Sequence, residues 1–295
     1  MQLVATAIAS PAAPALSADI AHNAAQAIGA TALDWLAHGI ACDFRPDPTL
    51  GANEIATLMR GVLGTLPVDI VVQAQASRRK SILIADMDST MIGQECIDEL
   101  ADMAGLKERV SAITARAMNG EIAFEPALRE RVGLLTGLPV AIIDQVIAER
   151  ITLTAGGREL LATMRANGAY TALVSGGFTA FTSRIAALLG FDENRANTLV
   201  EADGKLAGTV TEPILGREAK IEALQQIATQ RGVTPLDAIA VGDGANDLGM
   251  LAIAGTGVAL HAKPTVAAAA KVRIDHGDLT ALLYMQGYRQ SEFSR

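Results

Sequence analysis

Three short apolar runs constrain this chain most: SILIAD at 81–86, AYTALVS at 169–175 and AIAVGD at 238–243. Each has the length of one strand and ends in a small or acidic polar residue. Each runs on into a helical pattern: CIDELADMAG, GGFTAFTSRIAALLG and ANDLGMLAIAG. Apolar strands alternating with helices predict a parallel sheet covered by helices on its faces. Ligands of such sheets bind at the carboxyl ends of the strands. That rule gathers Asp86, Ser175 and Asp243 at one edge, although they lie far apart in sequence.

Two insertions interrupt the alternation. Residues 95–150 are mostly helical and read as a cap over the sheet edge, with Gly105, Gly120 and Gly137 ending successive helices. Further on, TLVEADGKLAGTV carries Asp-Gly between β-branched segments, a hairpin signal. The hairpin is expected to hang from the sheet, away from the site. Ahead of residue 78 the chain has a different character, with only Arg45 and Arg60 as basic residues against six acids. Its pattern of LVATAIA, ADIAHNAAQAIGA, TALDWLAHGIACDFRP, GANEIATLMRGVLGTL and VDIVVQAQ predicts βαββαβ, the split βαβ order of ferredoxin-like units. The expected division is a small α/β unit at 1–77 and a larger Rossmann-like domain at 78–295, its cap at about 95–150. A chain of 295 residues, half of them hydrophobic, has enough apolar material for both.

The net charge of −8 and the lack of a Lys/Arg stripe exclude nucleic acid as a partner. The densest basic cluster, Arg78-Arg79-Lys80, reads as a solvated linker or a strand entry. No run of about 20 apolar residues exists, so no membrane span is expected. The Ala-rich start has no basic residue before Arg45, unlike a secretory signal. The two cysteines, Cys42 and Cys96, demand no disulfide framework and suit a reducing cytoplasm. Cys96 reads as a small buried apolar residue.

The end of the first strand, ADMDST, sets down Asp86 and Asp88 one residue apart. Carboxylates so close resist joint ionisation unless a cation or a proton lies between them. A polar turn with both acids solvated explains this stretch alone equally well. The other strand ends add more. VSGGF offers the Ser175 hydroxyl and the N–H groups of Gly176 and Gly177. REAKIEALQQIA offers Lys220, and VGDGAND offers Asp243, Asn246 and Asp247. Phosphoryl transfer through a covalent intermediate needs a nucleophile, a cation, donors to the phosphate oxygens and a proton donor for the leaving group. The oxygen-only inventory fits Mg²⁺.

DMDST, SGG, Lys220 and GDGAND resemble the four motifs of the haloacid dehalogenase-like superfamily of phosphatases. DMDSTMIGQECIDELA, AFEPALRERVGLLTGLP, LVSGGFTAFTSRIAALLG and AVGDGANDLGML extend the likeness, across about residues 81–275, to its phosphoserine phosphatase branch. The resemblance implies an Mg²⁺-dependent hydrolase of phosphoserine, closing serine synthesis. It implies Asp86 as nucleophile, and Asp88 as the acid that protonates the serine oxygen and then the base that activates water. Mg²⁺ would be held by the Asp86 and Asp243 side chains and the Asp88 backbone carbonyl, with Asp247 orienting that shell. Ser175, the Gly176 N–H and Lys220 would cradle the phosphate, and Asn246 would bind near the transferring group. Glu95 and Arg131 would meet the substrate's ammonium and carboxylate, and Met118 and Phe124 would shield the site.

Each of these residues also has a plainer reading. Glu95 suits the negative charge favoured at a helix start, Arg131 suits a solvated helix face, and Met118 and Phe124 suit a core. The resemblance also implies that residues 1–77 form an amino-acid-binding regulatory unit of the ACT type, or a dimerisation unit that makes a homodimer. Two alternatives remain at this stage: phosphate transfer from phosphoserine to homoserine or another small alcohol, and a catalytically dead amino-acid sensor. Intact Asp86, Asp88, Lys220 and Asp243 argue against the sensor.

Overall fold

The computed structural model describes residues 2–118 and 121–294. The helix end expected at Gly120 and the Met118 side chain lie outside what is described.

The N-terminal unit follows the expected order. Strand β1 (Leu3–Ala9), helix α1 (Ala18–Ala27), strands β2 (Ala32–Ala37) and β3 (Ala41–Arg45), helix α2 (Ala52–Leu63) and strand β4 (Val68–Ala74) succeed one another. The sheet is antiparallel in the order β2-β3-β1-β4. Ser17 caps α1, its Oγ accepting from Ile20 N at 3.3 Å. Period-two alternation divides β1 between two cores. Ala5, Ala7 and Ala9 face α1 and α2, packing with Ala24, Ile55 and Met59, whereas Ile8 faces the rest of the molecule.

The larger sheet has six parallel strands in the order β12-β11-β10-β5-β6-β7. They are β5 (Ile82–Ala85), β6 (Tyr170–Phe178), β7 (Glu193–Asn197), β10 (Ala238–Gly242), β11 (Thr256–Leu260) and β12 (Val272–Ile274). The chain moves outward from β5 to β6 and β7, then crosses back to lay β10 on the other side of β5. The order of the strands reverses there, which is where such sheets place ligands. Alternate residues again serve two faces. Leu83 and Ala85 pack with α7 (Gly157–Ala166) and α8 (Thr179–Leu189). Ile82 and Ile84 pack with α9 (Arg217–Gln230) and α10 (Leu248–Ile253). After β11, α11 (Pro264–Ala269) leads to β12.

The cap is helical, as expected: α3 (Cys96–Met103), α4 (Lys107–Met118), α5 (Phe124–Leu134) and α6 (Ala141–Glu149). Gly105 and Gly137 both take positive φ just beyond helix ends. The hairpin, β8 (Leu199–Ala202) and β9 (Lys205–Val210), departs from expectation. It does not hang free but pairs with the cap between α5 and α6. Gly137 N donates to Leu206 O at 2.8 Å, Leu206 N to Leu138 O at 2.8 Å, and Val140 N to Gly204 O at 3.0 Å. Backbone groups left open at the end of α5 find their partners on the hairpin.

The basic cluster at 78–80 is a strand entry, leading into β5, with Arg78 and Lys80 part-buried and Arg79 exposed. Arg78 Nη1 pairs with Asp43 Oδ2 at 2.6 Å, Arg79 lies 3.8 Å over the Tyr288 ring, and Lys80 Nζ donates to Leu236 O at 2.8 Å. The pair between Arg78 and Asp43 belongs to a wide junction between the two units. Ile8, Leu36, Ile40 and Val71 share one apolar cluster with Leu282, Leu283 and Tyr284 of α12 (Ala281–Met285). Buried Asp69 accepts from the backbone N–H groups of Asp275, His276 and Gly277 at 2.9, 3.1 and 2.8 Å. Among the described residues no helix is long and apolar enough to cross a membrane.

Candidate active site

The site lies at the carboxyl ends of β5, β6 and β10. Asp86 ends β5, and its N–H donates to Val241 O at 3.0 Å, so strand pairing fixes it beside the end of β10. The chain then turns sharply through 87–91. Ser89 takes φ +54°, which an L-residue adopts only at a cost. Its Oγ donates to Glu95 Oε1 at 2.9 Å, and Cys96 N donates to Asp88 Oδ1 at 3.2 Å. The turn thus carries Asp88 over the site and ties it to the start of α3. Met87 goes the other way, into the core. The approach of Asp88 is close. A Cβ on Gly177 would sit 3.0 Å from Asp88 Oδ2 and 3.1 Å from Ser175 Oγ.

Lys220, on the first turn of α9, is 1% exposed. Its Nζ lies 2.7 Å from Asp86 Oδ1 and 2.6 Å from Asp247 Oδ1. Burial works against its charge, but the two carboxylates outweigh burial and raise its pKa. Asp247 Oδ2 also accepts from Gly244 N at 3.0 Å, which closes the VGDGAND loop on itself. Thr90 Oγ1 donates to Asp243 Oδ1 at 3.4 Å.

Asp86, Asp243 and Asp247 each bring an oxygen within 4.8 Å of the others. Burial, then the charge of Asp86, pushes Asp243 up to about 6, and the same causes raise Asp247. Three buried carboxylates against one ammonium leave the cluster short of positive charge. All the donors are hard oxygens, so the cluster suits a hard divalent cation. Asp88 stands outside this cluster. Burial, then Glu95, pushes it up to about 8 against the Cys96 N–H. The two aspartates of ADMDST therefore have different surroundings.

A cavity of about 850 Å³ opens over these groups. Asp86, Asp88, Ser175, Gly176, Lys220, Asp243 and Asn246 line its floor, and Glu95, Phe124 and Arg131 come to it from the cap side. Phe124 lies over the floor glycines. Its ring atoms would be 3.4 Å from a Cβ on Gly176 and 3.5 Å from one on Gly216. Arg131 is part-buried and does not take the solvated helix face. Its neighbour Arg129 takes that role, pairing with Glu212. The expected residues other than Met118 thus converge, with Asp247 behind the floor. Ser175 and Gly176 belong to the extended end of β6, three or more residues before α8 begins, not to the helix start.

Sequence reasoning named the Gly177 N–H but not the need for a glycine there, and it missed Thr90 and Lys263. Lys263 follows β11, lines the cavity, and places Nζ 4.0 Å from Asp243 Oδ2. The apolar run TGVAL before HAKP was the signal, since it obeys the same rule of strand ends.

The family model for haloacid dehalogenase-like hydrolases matches residues 83–252. The chain belongs to that family. It is 46% identical over 202 residues to the phosphoserine phosphatase of Haemophilus influenzae, covering 68% of this chain and 64% of that protein. It is 40% identical over 264 residues to the phosphoserine phosphatase of Streptomyces coelicolor, covering 89% and 62%. The chain thus spans less than two thirds of the length of these two relatives. Among solved structures, the unliganded probable phosphoserine phosphatase of Vibrio cholerae superposes with a TM-score of 0.80 at 31% identity. That match covers 99% of this chain and 88% of the other.

Proposed function

We propose that this chain hydrolyses O-phospho-L-serine to L-serine and phosphate with Mg²⁺, as the last step of serine synthesis in the cytoplasm. The observation that carries this reading is a single cavity with two chemically distinct ends. The floor offers Asp86 beside a buried ammonium and a hydroxyl, and the cap side offers an anion, Glu95, beside a part-buried cation, Arg131. A phosphate ester that also bears an ammonium and a carboxylate matches both ends. The names of the relatives point the same way, and the buried free cysteines Cys42 and Cys96 suit a reducing compartment.

In the reaction, Asp86 attacks phosphorus, and the bond from phosphorus to the serine oxygen breaks. Asp88 gives that oxygen its proton. Asp88 then takes a proton from a water that attacks the aspartyl-phosphate, which releases phosphate and restores Asp86. Ser175, Gly176 N–H and Asn246 hold the phosphate oxygens. Lys220 keeps Asp86 ionised and offsets charge on the phosphate. Mg²⁺, held by Asp86, Asp243 and the Asp88 carbonyl with Asp247 behind them, would neutralise phosphate charge. The Phe124 ring covers the part of the floor at Gly176 and Gly216.

Phosphate release with Mg²⁺ over phosphoserine, phosphoethanolamine and sugar phosphates, with and without homoserine, tests the reading. We expect phosphoserine to be preferred and homoserine to leave phosphate release unchanged. Excess chelator should abolish turnover and Mg²⁺ should restore it. Full activity in chelator would overturn the metal assignment. Arg131→Ala should lower kcat/KM for phosphoserine at least about tenfold, the scale of a lost charge-assisted hydrogen bond. Turnover of phosphoethanolamine, which has no carboxylate, should change little. Equal losses on both esters would remove Arg131 from substrate reading.

Residues 1–77 belong to this reading as a separate unit of the ACT type, for regulation or dimerisation, joined to the phosphatase domain at 78–295. Its sheet order is compatible with that. Strand β2 pairs only with β3 among the described residues, which leaves an edge on which a second copy could build a homodimer. Sedimentation of the full chain tests it, and a monomer at all concentrations would refute the homodimer.

A further inference from the structure

The chain leaves β11 through a turn at 261–263. His261 takes φ +44° there, a left-handed conformation that costs an L-residue energy unless its surroundings hold it. Two bonds do so. His261 N donates to Ile274 O at 2.8 Å, and the ring Nε2 donates to Gly277 O at 2.7 Å. A carbonyl only accepts, so Nε2 carries the proton. Gly277 is gripped from its other side as well, its N–H donating to Asp69 Oδ2 at 2.8 Å. Asp69 belongs to β4 of the N-terminal unit, is 4% exposed, and also accepts from Asp275 N and His276 N. One buried carboxylate thus anchors the loop at 275–277, and the loop anchors the turn.

Two residues beyond His261 the same turn delivers Lys263 to the active-site cavity. The hold of Lys263 on Asp243 is loose. Its N–H donates to Asp243 O at 3.3 Å, and its Nζ stands 4.0 Å from Asp243 Oδ2, both long for their kind. Asp243 alone therefore does not fix it. The buried ammonium of Lys220 is taken up by Asp86 and Asp247 at 2.7 and 2.6 Å. That of Lys263 has one carboxylate partner among the described residues, and at 4.0 Å its donors stay open to an incoming anion.

We infer that Asp69 and His261 are positioning residues, which grip Gly277 from both sides and thereby hold Lys263 in the cavity as a second cation for the substrate's phosphate. A lysine side chain on a loose turn loses much freedom when it binds an anion. A turn held at His261 has part of that ordering in place beforehand. Neither Asp69 nor His261 lines the cavity, so both act through Lys263, and the N-terminal unit reaches the site without touching the substrate.

The inference rests on reading the cavity as a phosphatase site, and the experiment separates the two. The affinity of the full chain with Mg²⁺ for inorganic phosphate is measured by calorimetry, with melting temperatures as the control for folding. Lys263→Met should weaken phosphate binding about five- to tenfold, the scale of a lost charge-assisted contact. His261→Gly accepts the positive φ and removes the ring. It should weaken binding about threefold, the size of coupling common between neighbouring groups, and His261→Gln, which restores a donor, should recover part of the loss. Asp69→Asn should act in the same direction as His261→Gly. In a Lys263→Met background neither change should weaken binding further. KM for phosphoserine and for phosphoethanolamine should rise together, because both carry the phosphate. Unchanged phosphate affinity in Lys263→Met would overturn the inference. So would losses from His261→Gly and Asp69→Asn that persist in full without Lys263. A chain that binds phosphate in the expected pattern yet leaves phosphoserine intact would overturn the proposed reaction and keep the inference. Phosphoserine turnover with equal phosphate affinity in every variant would do the reverse.

Discussion

Gly177 leaves no room for a side chain, because Asp88 and Ser175 both crowd the place where a Cβ would lie. Its N–H also donates to Ser175 Oγ at 2.9 Å, so the hydroxyl is aimed by the backbone. The crowding atoms are ends of side chains and can move by a few tenths of an ångström. Gly177→Ala should therefore fold with a nearly unchanged melting temperature but displace the proton donor. We expect kcat to fall at least about tenfold, since small misplacements of reacting groups are costly. Wild-type kcat in a folded Gly177→Ala protein would show that the Asp88 position is not critical. Asp86→Asn is a sharper case. It keeps the shape and leaves Lys220 its contact with Asp247. Circular dichroism should be unchanged, while turnover falls by several orders of magnitude for want of a nucleophile. Near-normal turnover would sink the covalent route.

At the scale of elements, the hairpin is the least independent piece. Gly208 has φ +78°, and a Cβ there would meet Thr136 Oγ1 of the cap at 1.9 Å. Gly208→Ala should destabilise the protein by about 1–3 kcal/mol, from the left-handed backbone and the clash together. Limited proteolysis should find the cap cut sooner than in the wild type. An unchanged melting temperature and cleavage pattern would mean that the hairpin does not brace the cap. The sequence told the presence of this hairpin but not its partner, because Asp-Gly fixes a turn and says nothing of what lies opposite. The same limit divides the sheet. Strands β5, β6 and β10 were legible since both faces are buried and the runs are apolar. Strand β7, ENRAN, lies at the edge, and its polar side chains pair locally, as in Arg195 Nε to Glu193 Oε1 at 2.8 Å. No apolar pattern marks such a strand. Asp86, Ser175, Lys220 and Asp243 were legible from motifs at strand ends. Thr90 and Lys263 were not, since their meaning depends on the arrival of Asp243 from elsewhere.

The molecule as a whole is not two beads on a string. The face of the N-terminal sheet opposite α1 and α2 is packed on α12 and the strands beside it. A fragment of residues 78–295 would expose Leu282, Leu283 and Tyr284, which are at most 1% exposed in the full chain. We expect it to keep phosphatase chemistry where it folds, because every residue assigned to the reaction lies within it. It should melt well below the full chain and tend to aggregate. A fragment as stable as the parent would show that the junction contributes little. A folded fragment without activity would show that the first 77 residues take part in the chemistry.

Asp69 gives this junction a direction in time. The chain leaves the ribosome from its amino end, so β4 is made when the N–H groups that Asp69 will bind, at 275–277, are still some 200 residues away. Until the chain is made through residue 285, the early unit has a buried-side carboxylate without donors and an apolar sheet face without a cover. Its four strands can form, but they cannot seal. Residues 275–285 act as the closing stitch for the first seventy. A stop codon ahead of residue 275 should therefore harm the N-terminal unit as much as the stretch it removes, and nascent chains stalled short of α12 should be the ones that chaperones hold.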